Sequence, residues 1–112
     1  MEVLESSTEK AVLLRIIGRL DATTFAKFEE RLNQIMNSGC KNIHIDLDKM
    51  DFVSSTGLRI FLIGLKKMTE LKGNFVLYNL QHNIKEVFEI SGFTNLFHIV
   101  ENKKVDINNL TN

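Results

Sequence analysis

The sequence predicts an α/β fold: a mixed, mostly parallel β-sheet with about four α-helices packed on it. Three observations carry this expectation. Apolar runs rich in β-formers alternate with segments whose apolar residues recur at helical spacing. The stretches between successive strand-like runs are long enough for helical crossovers, which parallel strands require. With 112 residues, 44% of them hydrophobic and Phe the commonest aromatic, the chain can bury a core as one domain spanning residues 1–112.

The elements follow in order. EVLES near the start reads as an edge strand. AVLLRII (Ala11 to Ile17) is nearly continuous in apolar β-formers, which suits a strand buried on both faces. The turn GRLDATT comes next. From Thr24 the spacing changes, and Phe25, Phe28, Leu32, Ile35 and Met36 fall on one face of a helix. Asp21, Thr23 or Thr24 can cap its start, and Gly39 can end it. NIHIDL (Asn42 to Leu47) alternates, with Ile43, Ile45 and Leu47 on one face of a strand. DKMD reads as a polar loop. A helix then runs from about Ser55 to Leu71 on a core stripe of Leu58, Phe61, Leu62, Leu65 and Met68, and Lys72-Gly73-Asn74 stops it. FVLYN (Phe75 to Asn79) is a strand. NIKEVFEIS (Asn83 to Ser91) is a short helix with Ile84, Val87 and Phe88 inward, closed by Gly92. LFHIV (Leu96 to Val100) is the last strand. The tail from Glu101 reads as a weak helix carrying Val105 and Leu110.

In open α/β sheets, sites lie beyond the carboxyl ends of the strands. That rule gathers the loops Gly18 to Thr24, Asp48 to Thr56 and Asn79 to Asn83 on one edge. The middle loop holds DFVSSTGLRI, in which Ser54, Ser55 and Thr56 stand together. One hydroxyl suffices to cap the following helix, so another can be exposed for modification. A helical wheel aligns Ser55, Arg59, Ile63, Lys66 and Glu70, opposite much of the core stripe. Ile60 and Ile63 then lie on a largely polar side. Beside a charged line and a modifiable hydroxyl, they suit a partner-binding face.

Composition narrows the function. Lys plus Arg and Asp plus Glu number 14 each, and no basic patch stands out, so neither nucleic acid nor an anionic membrane is an expected partner. The lone Cys40 allows neither an internal disulfide nor a cysteine metal cluster, and a reducing, cytoplasmic setting fits it best. MEVLESSTEK is too acidic and polar for a secretory signal, and the apolar run Ile60 to Leu65 is too short for a bilayer span.

Enzyme readings fare poorly. Val53 stands where a nucleophile elbow around Ser55 would have glycine. His44 lies within a strand, and His82 and His98 are far along the chain. No P-loop or GxGxxG fingerprint is present. Asp46, Asp48 and Asp51 read as solvated loop carboxylates more readily than as a cation site. The expectation is a non-enzyme without cofactor or metal.

NIHIDLDKMDFVSSTGL resembles the signature of the STAS domain, the fold of anti-sigma factor antagonists: an apolar strand ending in Asp-Leu, a short loop, then D-S-[ST]-G-L. GRLDATT is similar to the family's G-x-L-D turn, and KGNFVLYNLQHNIKEVFEISGFTNLFHI to its later strand, helix and Ser-Gly turn. The resemblance covers nearly the whole chain. It implies a mixed sheet with helices on its faces, and an activity of partner switching. The unmodified chain would bind an anti-sigma factor that is also a serine kinase, so freeing a sigma factor. Phosphorylation at Ser55 would switch binding off, and a serine phosphatase would restore it. Ser54 stands where the family often has Asp, so Ser54 and then Thr56 follow Ser55 as candidate acceptors. With the helical line added, the expected partner-binding residues are Asp21, Thr23, Ser54, Thr56, Gly57, Arg59 and Ile63, on a chain that is a monomer when free. The alternative is a STAS component of another assembly, a stress-signalling scaffold or lipid-transport complex, without sigma-factor control.

Overall fold

The computed structural model of the protein describes residues 1–110. The elements run β1 (Glu2–Ser7), β2 (Val12–Leu20), α1 (Phe25–Asn37), β3 (Asn42–Asp46), β4 (Met50–Val53), α2 (Ser55–Glu70), β5 (Asn74–Tyr78), α3 (His82–Ile90) and β6 (His98–Val100), followed by a 3-10 turn at Ile107–Asn109. The sheet has six strands in the order β1-β2-β3-β5-β6, with β4 pairing onto β2. Only β1 runs antiparallel to its neighbour, and the remaining pairs are parallel. The mixed, mostly parallel α/β sheet is therefore as the sequence predicts.

Alternation along the strands sorts their side chains between two faces. Leu14 and Ile16 of β2, Ile43 and Ile45 of β3, and Phe75 and Leu77 of β5 join one large core with residues of all three helices. Phe28, Leu32, Ile35 and Met36 reach it from α1, Phe61 and Met68 from α2, and Ile84 and Phe88 from α3. Rings link these helices: Phe28 to Phe61 at 5.4 Å between centroids, and Phe61 to Phe88 at 6.1 Å. The alternate residues Leu13, Val76 and Tyr78 form a second, small cluster with Val105 of the C-terminal segment.

Four expectations need correction. The described residues hold three α-helices, not about four. The tail is irregular rather than helical until the 3-10 turn, bending at Asn102, because its backbone is held elsewhere. Asn79 Nδ2 donates to the Lys103 carbonyl at 2.7 Å, and the Lys103 amide donates to Asn79 Oδ1 at 3.1 Å. All three helices consequently cover one face of the sheet, and the tail covers the other. Residues 50–53, within and beyond the stretch read as a polar loop, form β4. Its burial runs buried, exposed, exposed, buried, since the pairing with β2 shifts register between Gly18 and Arg19 and breaks the alternation. Ile60 is 3% exposed and belongs to the core, whereas Leu62 and Leu65 are only half-buried. The inner face of α2 is rotated toward Gly57, Ile60, Gly64 and Met68, whose small members admit Leu20, Val53 and Phe75 closely.

Candidate functional site

Hydrogen bonds to backbone carbonyls draw the predicted loops to one sheet edge. The Ser54 amide donates to the Leu20 carbonyl at 2.9 Å, which sets the turn after β2 beside the start of α2. Gln81 Nε2 donates to the Asp48 carbonyl and Asn83 Nδ2 to the Asp51 carbonyl, both at 2.9 Å. The start of α3 thereby clamps the strand that leads into the hydroxyl triplet.

The triplet divides its work. Ser54 is the N-cap of α2, extended in backbone, and its Oγ accepts from the Gly57 amide at 3.2 Å. Ser55 is the first helical residue, is exposed, and makes no side-chain hydrogen bond to another described residue. Thr56 is half-buried. Gly57 is buried, and a Cβ there would stand 2.9 Å from Leu20 Cγ and 2.9 Å from Val53 Cγ2. The glycine of the S-T-G-L stretch is therefore required by close packing under the cap. Ser55, Arg59, Ile63, Lys66 and Glu70 are all exposed along one line of α2, with Ile63 at 42%.

The neighbouring turn is ordered by Asp21. Its Oδ1 accepts from the Thr23 hydroxyl at 2.7 Å and the Thr23 amide at 2.9 Å, and its backbone carbonyl accepts from the Phe25 amide. The bonds from Thr23, with a lesser one from Arg19, hold the Asp21 carboxyl down to about 2. It is a fixed anion beside the cap. Thr24 is the N-cap of α1, but its side chain does not cap the helix, and its hydroxyl donates to the Arg19 carbonyl.

Two features were not read from the sequence. The Arg19 guanidinium lies 4.0 Å from the centre of the Phe52 ring, and both side chains are at the surface. The clamps from Gln81 and Asn83 link positions 32 or 33 residues apart and leave no local pattern. An aromatic residue in the otherwise polar run DKMDF was the one available sign of the first.

No triad forms around Ser55. His44 is buried and pairs with Tyr78, His82 pairs with Glu86, and His98 is exposed. Asp46, read above as a solvated loop carboxylate, is instead buried at the end of β3 and ion-paired with Arg15, and among the described residues no cluster of three His, Cys, Asp or Glu side chains could hold a metal ion. No helix among them is long and apolar enough to cross a membrane.

The family model for the STAS domain matches residues 4–105. The chain belongs to the STAS domain family. Among curated relatives, the anti-sigma-B factor antagonist of Staphylococcus aureus (strain NCTC 8325 / PS 47) is 28% identical over 104 residues, covering 92% of this chain and 96% of that protein. A protein of Bordetella bronchiseptica named as an anti-sigma factor antagonist, BtrV, is 31% identical over 87 residues, 78% of this STAS chain and 75% of its own length. The anti-sigma factor antagonist SpoIIAA in its unphosphorylated form superposes with a TM-score of 0.81 at 17% identity, over 92% of this chain and 90% of that one. Bacillus SpoIIAA in its phosphorylated form does so with a TM-score of 0.76 at 18% identity, over 92% and 93%. At these identities the two structures establish the fold that the STAS domain shares with them.

Proposed function

We propose that this STAS domain is an anti-sigma factor antagonist that binds an anti-sigma factor with serine kinase activity and is released from it by phosphorylation at Ser55. The observation that carries the reading is the division between Ser54 and Ser55. The cap is satisfied by Ser54, so the Ser55 hydroxyl can be modified without removing a bond the fold needs. The same bond makes Ser54 the poorer acceptor. The names of the curated relatives support the class of partner, and the phosphorylated form of SpoIIAA supports the type of control.

A phosphate brings a charge of about −1.5 to −2 at neutral pH. At a helix N-terminus it meets partial positive charge and free amides, so the fold tolerates it. The partner does not, since it must desolvate that charge or meet it with its own acidic groups. Asp21, Thr23, Ser54, Thr56 and Gly57 form the edge that the partner covers, and Arg59 and Ile63 extend it along α2. Arg59 lies one turn from Ser55, where a phosphate would also draw its guanidinium away from the partner. The protein acts as a cytoplasmic monomer without turnover of its own, and a serine phosphatase resets it.

The test is affinity capture from lysate of the source cells, identification of the captured kinase by mass spectrometry, and mapping of the phosphate after incubation with that kinase and ATP. Modification at Ser55, with dissociation of the pair, is the expected result. A phosphate found only outside residues 54–56 overturns the proposal.

A further inference from the structure

We propose that the C-terminal segment 101–107 is a pH-released strap, which seals the back of the sheet over His44 and lifts when that imidazole becomes charged. The strap stands independently of the function proposed above. The burial of His44 is anomalous. His44 is 3% exposed, its Nδ1 is hydrogen-bonded to the Tyr78 hydroxyl at 2.8 Å, and its Nε2 has no partner among the described residues. A neutral ring leaves one buried nitrogen unsatisfied. A charged ring has two N–H donors and only the Tyr78 oxygen to receive one of them, so the second donor and the charge are both stranded.

The carboxylates on the elements around His44 are already engaged, Asp46 by Arg15, Glu101 by Lys85 and Asp106 by the Asn108 amide. From β2 comes Arg15, paired with Asp46 of β3. From β5 comes Tyr78, and from β6 the exposed His98. From the strap comes Lys103, whose Nζ is 5.9 Å from the centre of the Tyr78 ring, with Lys104 and Asp106 exposed beside it. Burial first, then Lys103 and His98, push the His44 ring below its ordinary 6.5.

The strap is held by few contacts. Val105 is its buried anchor with the half-buried Ile107 beside it, the Val105 carbonyl accepts from Arg15, Asn79 grips the Lys103 backbone at both its amide and its carbonyl, and Glu101 pairs with Lys85 of α3 at 2.7 Å. An open cleft of about 670 Å³, lined by Arg15, Asp46, Asn79, Lys103 and Val105 among others, brings solvent up to these fastenings. Val105 packs with Leu13 and Val76, which flank His44 in the sheet, and with its partner Tyr78, so lifting the strap opens the ring to water and restores its ordinary affinity for a proton. The sealed state binds that proton less well than the lifted one. Sealing is therefore undisturbed above about 6.5 and is lost as pH falls from there through the depressed value of the sealed state, by up to about tenfold per pH unit.

The experiment follows three probes in the intact chain from pH 7.5 to 5. These are the His44 ring resonances, exchange of the Lys103 amide corrected for its intrinsic rate, and the emission of Tyr78, the sole tyrosine in a chain without tryptophan. The expected result is that exchange at Lys103 rises at least tenfold and Tyr78 emission changes, both with the midpoint of His44, while amides of α2 keep their protection. His44→Gln should abolish the pH dependence. Asn79→Gly removes both bonds to Lys103 and should move the midpoint upward toward 6.5. Lys103 protection that stays constant while His44 titrates overturns the proposal. So does a His44 that stays neutral until the whole protein unfolds. If His44→Gln does not fold, an unmoved midpoint in Asn79→Gly overturns it alone.

Discussion

The two faces of the sheet share the same strands and are sealed by different means. On the helical face, Leu14, Ile16, Ile43, Ile45, Phe75 and Leu77 meet aliphatic side chains and rings from three helices. On the back, Leu13 and Val76 share the surface with Arg15, His44, Asp46 and Tyr78, under one irregular segment. Burial of apolar area dominates the first face and is worth about 25 cal/mol per Å². The second relies on Val105, on the partly buried Val100, Ile107 and Leu110, and on hydrogen bonds, each worth about 0.5–1.5 kcal/mol net. A protein opens first where few apolar contacts hold it. The contrast teaches where rigidity is kept: α2, which carries the hydroxyl triplet, is seated on the deep face, and the segment most easily lifted lies on the opposite one.

The largest expected effect tests that contrast directly. Phe61 is fully buried between Phe28 and Phe88. Phe61→Ala should lower global stability by about 3–5 kcal/mol. Val105→Ala removes roughly two methylene equivalents, about 1.6 kcal/mol from transfer alone, and its effect should concentrate in exchange of the strap amides. Urea denaturation of both variants measures the difference. Equal losses would mean that the tail is integral to the cooperative core and that the two faces are not distinct.

A smaller effect sharpens the account of the deep face at the site itself. Gly57→Ala gains helix propensity of about 1 kcal/mol, but the new methyl meets Leu20 and Val53 at 2.9 Å. Overpacking of this kind costs about 1–3 kcal/mol. The expected outcome is a net loss of about 1 kcal/mol by thermal melting, with Ser54's cap disturbed because its donor is the Gly57 amide. A stabilised variant would show that the glycine is not there for packing.

These positions also show what a sequence can carry. The periodicity of Phe25 to Met36 and of Ser55 to Leu71 located α1 and α2, and the S-S-T-G run located the cap, because each is a local pattern of apolar or capping residues. The failures are non-local. β4 was read as loop since a register shift in β2, not its own residues, breaks its alternation. Ile60 was placed outward because the stripe was drawn through Leu62 and Leu65, whereas the small residues Gly57 and Gly64 pull the buried face toward themselves. The tail was read as a helix because nothing in it announces the grip of Asn79 from across the sheet. At the site, the triplet was legible, but which hydroxyl caps and which is exposed was not. Both are good caps, and one residue of helix phase decides between them.

That single residue of phase gives the smallest stability effects and the finest test. Ser54→Ala removes the cap bond to Gly57 and should cost about 1 kcal/mol. Ser55→Ala removes no hydrogen bond and should stay within about 0.5 kcal/mol of wild type. Ser55→Asp places a carboxylate at the first helical position, where the helix dipole favours it by about 0.3–1 kcal/mol. With the cap kept by Ser54, nothing offsets that gain, so this variant should melt at or slightly above wild type. At the proposed interface the same carboxylate is buried against a partner shaped for a neutral hydroxyl, and an unpaired buried charge costs several kcal/mol. Since about 1.4 kcal/mol is tenfold in affinity, binding to the captured anti-sigma factor should fall by two or more decades. Melting curves for the three variants and partner affinities for the two Ser55 variants decide the matter. A Ser55→Ala variant less stable than Ser54→Ala would assign the cap to Ser55, and the hydroxyl that this account leaves exposed for a kinase would be the one the helix cannot spare.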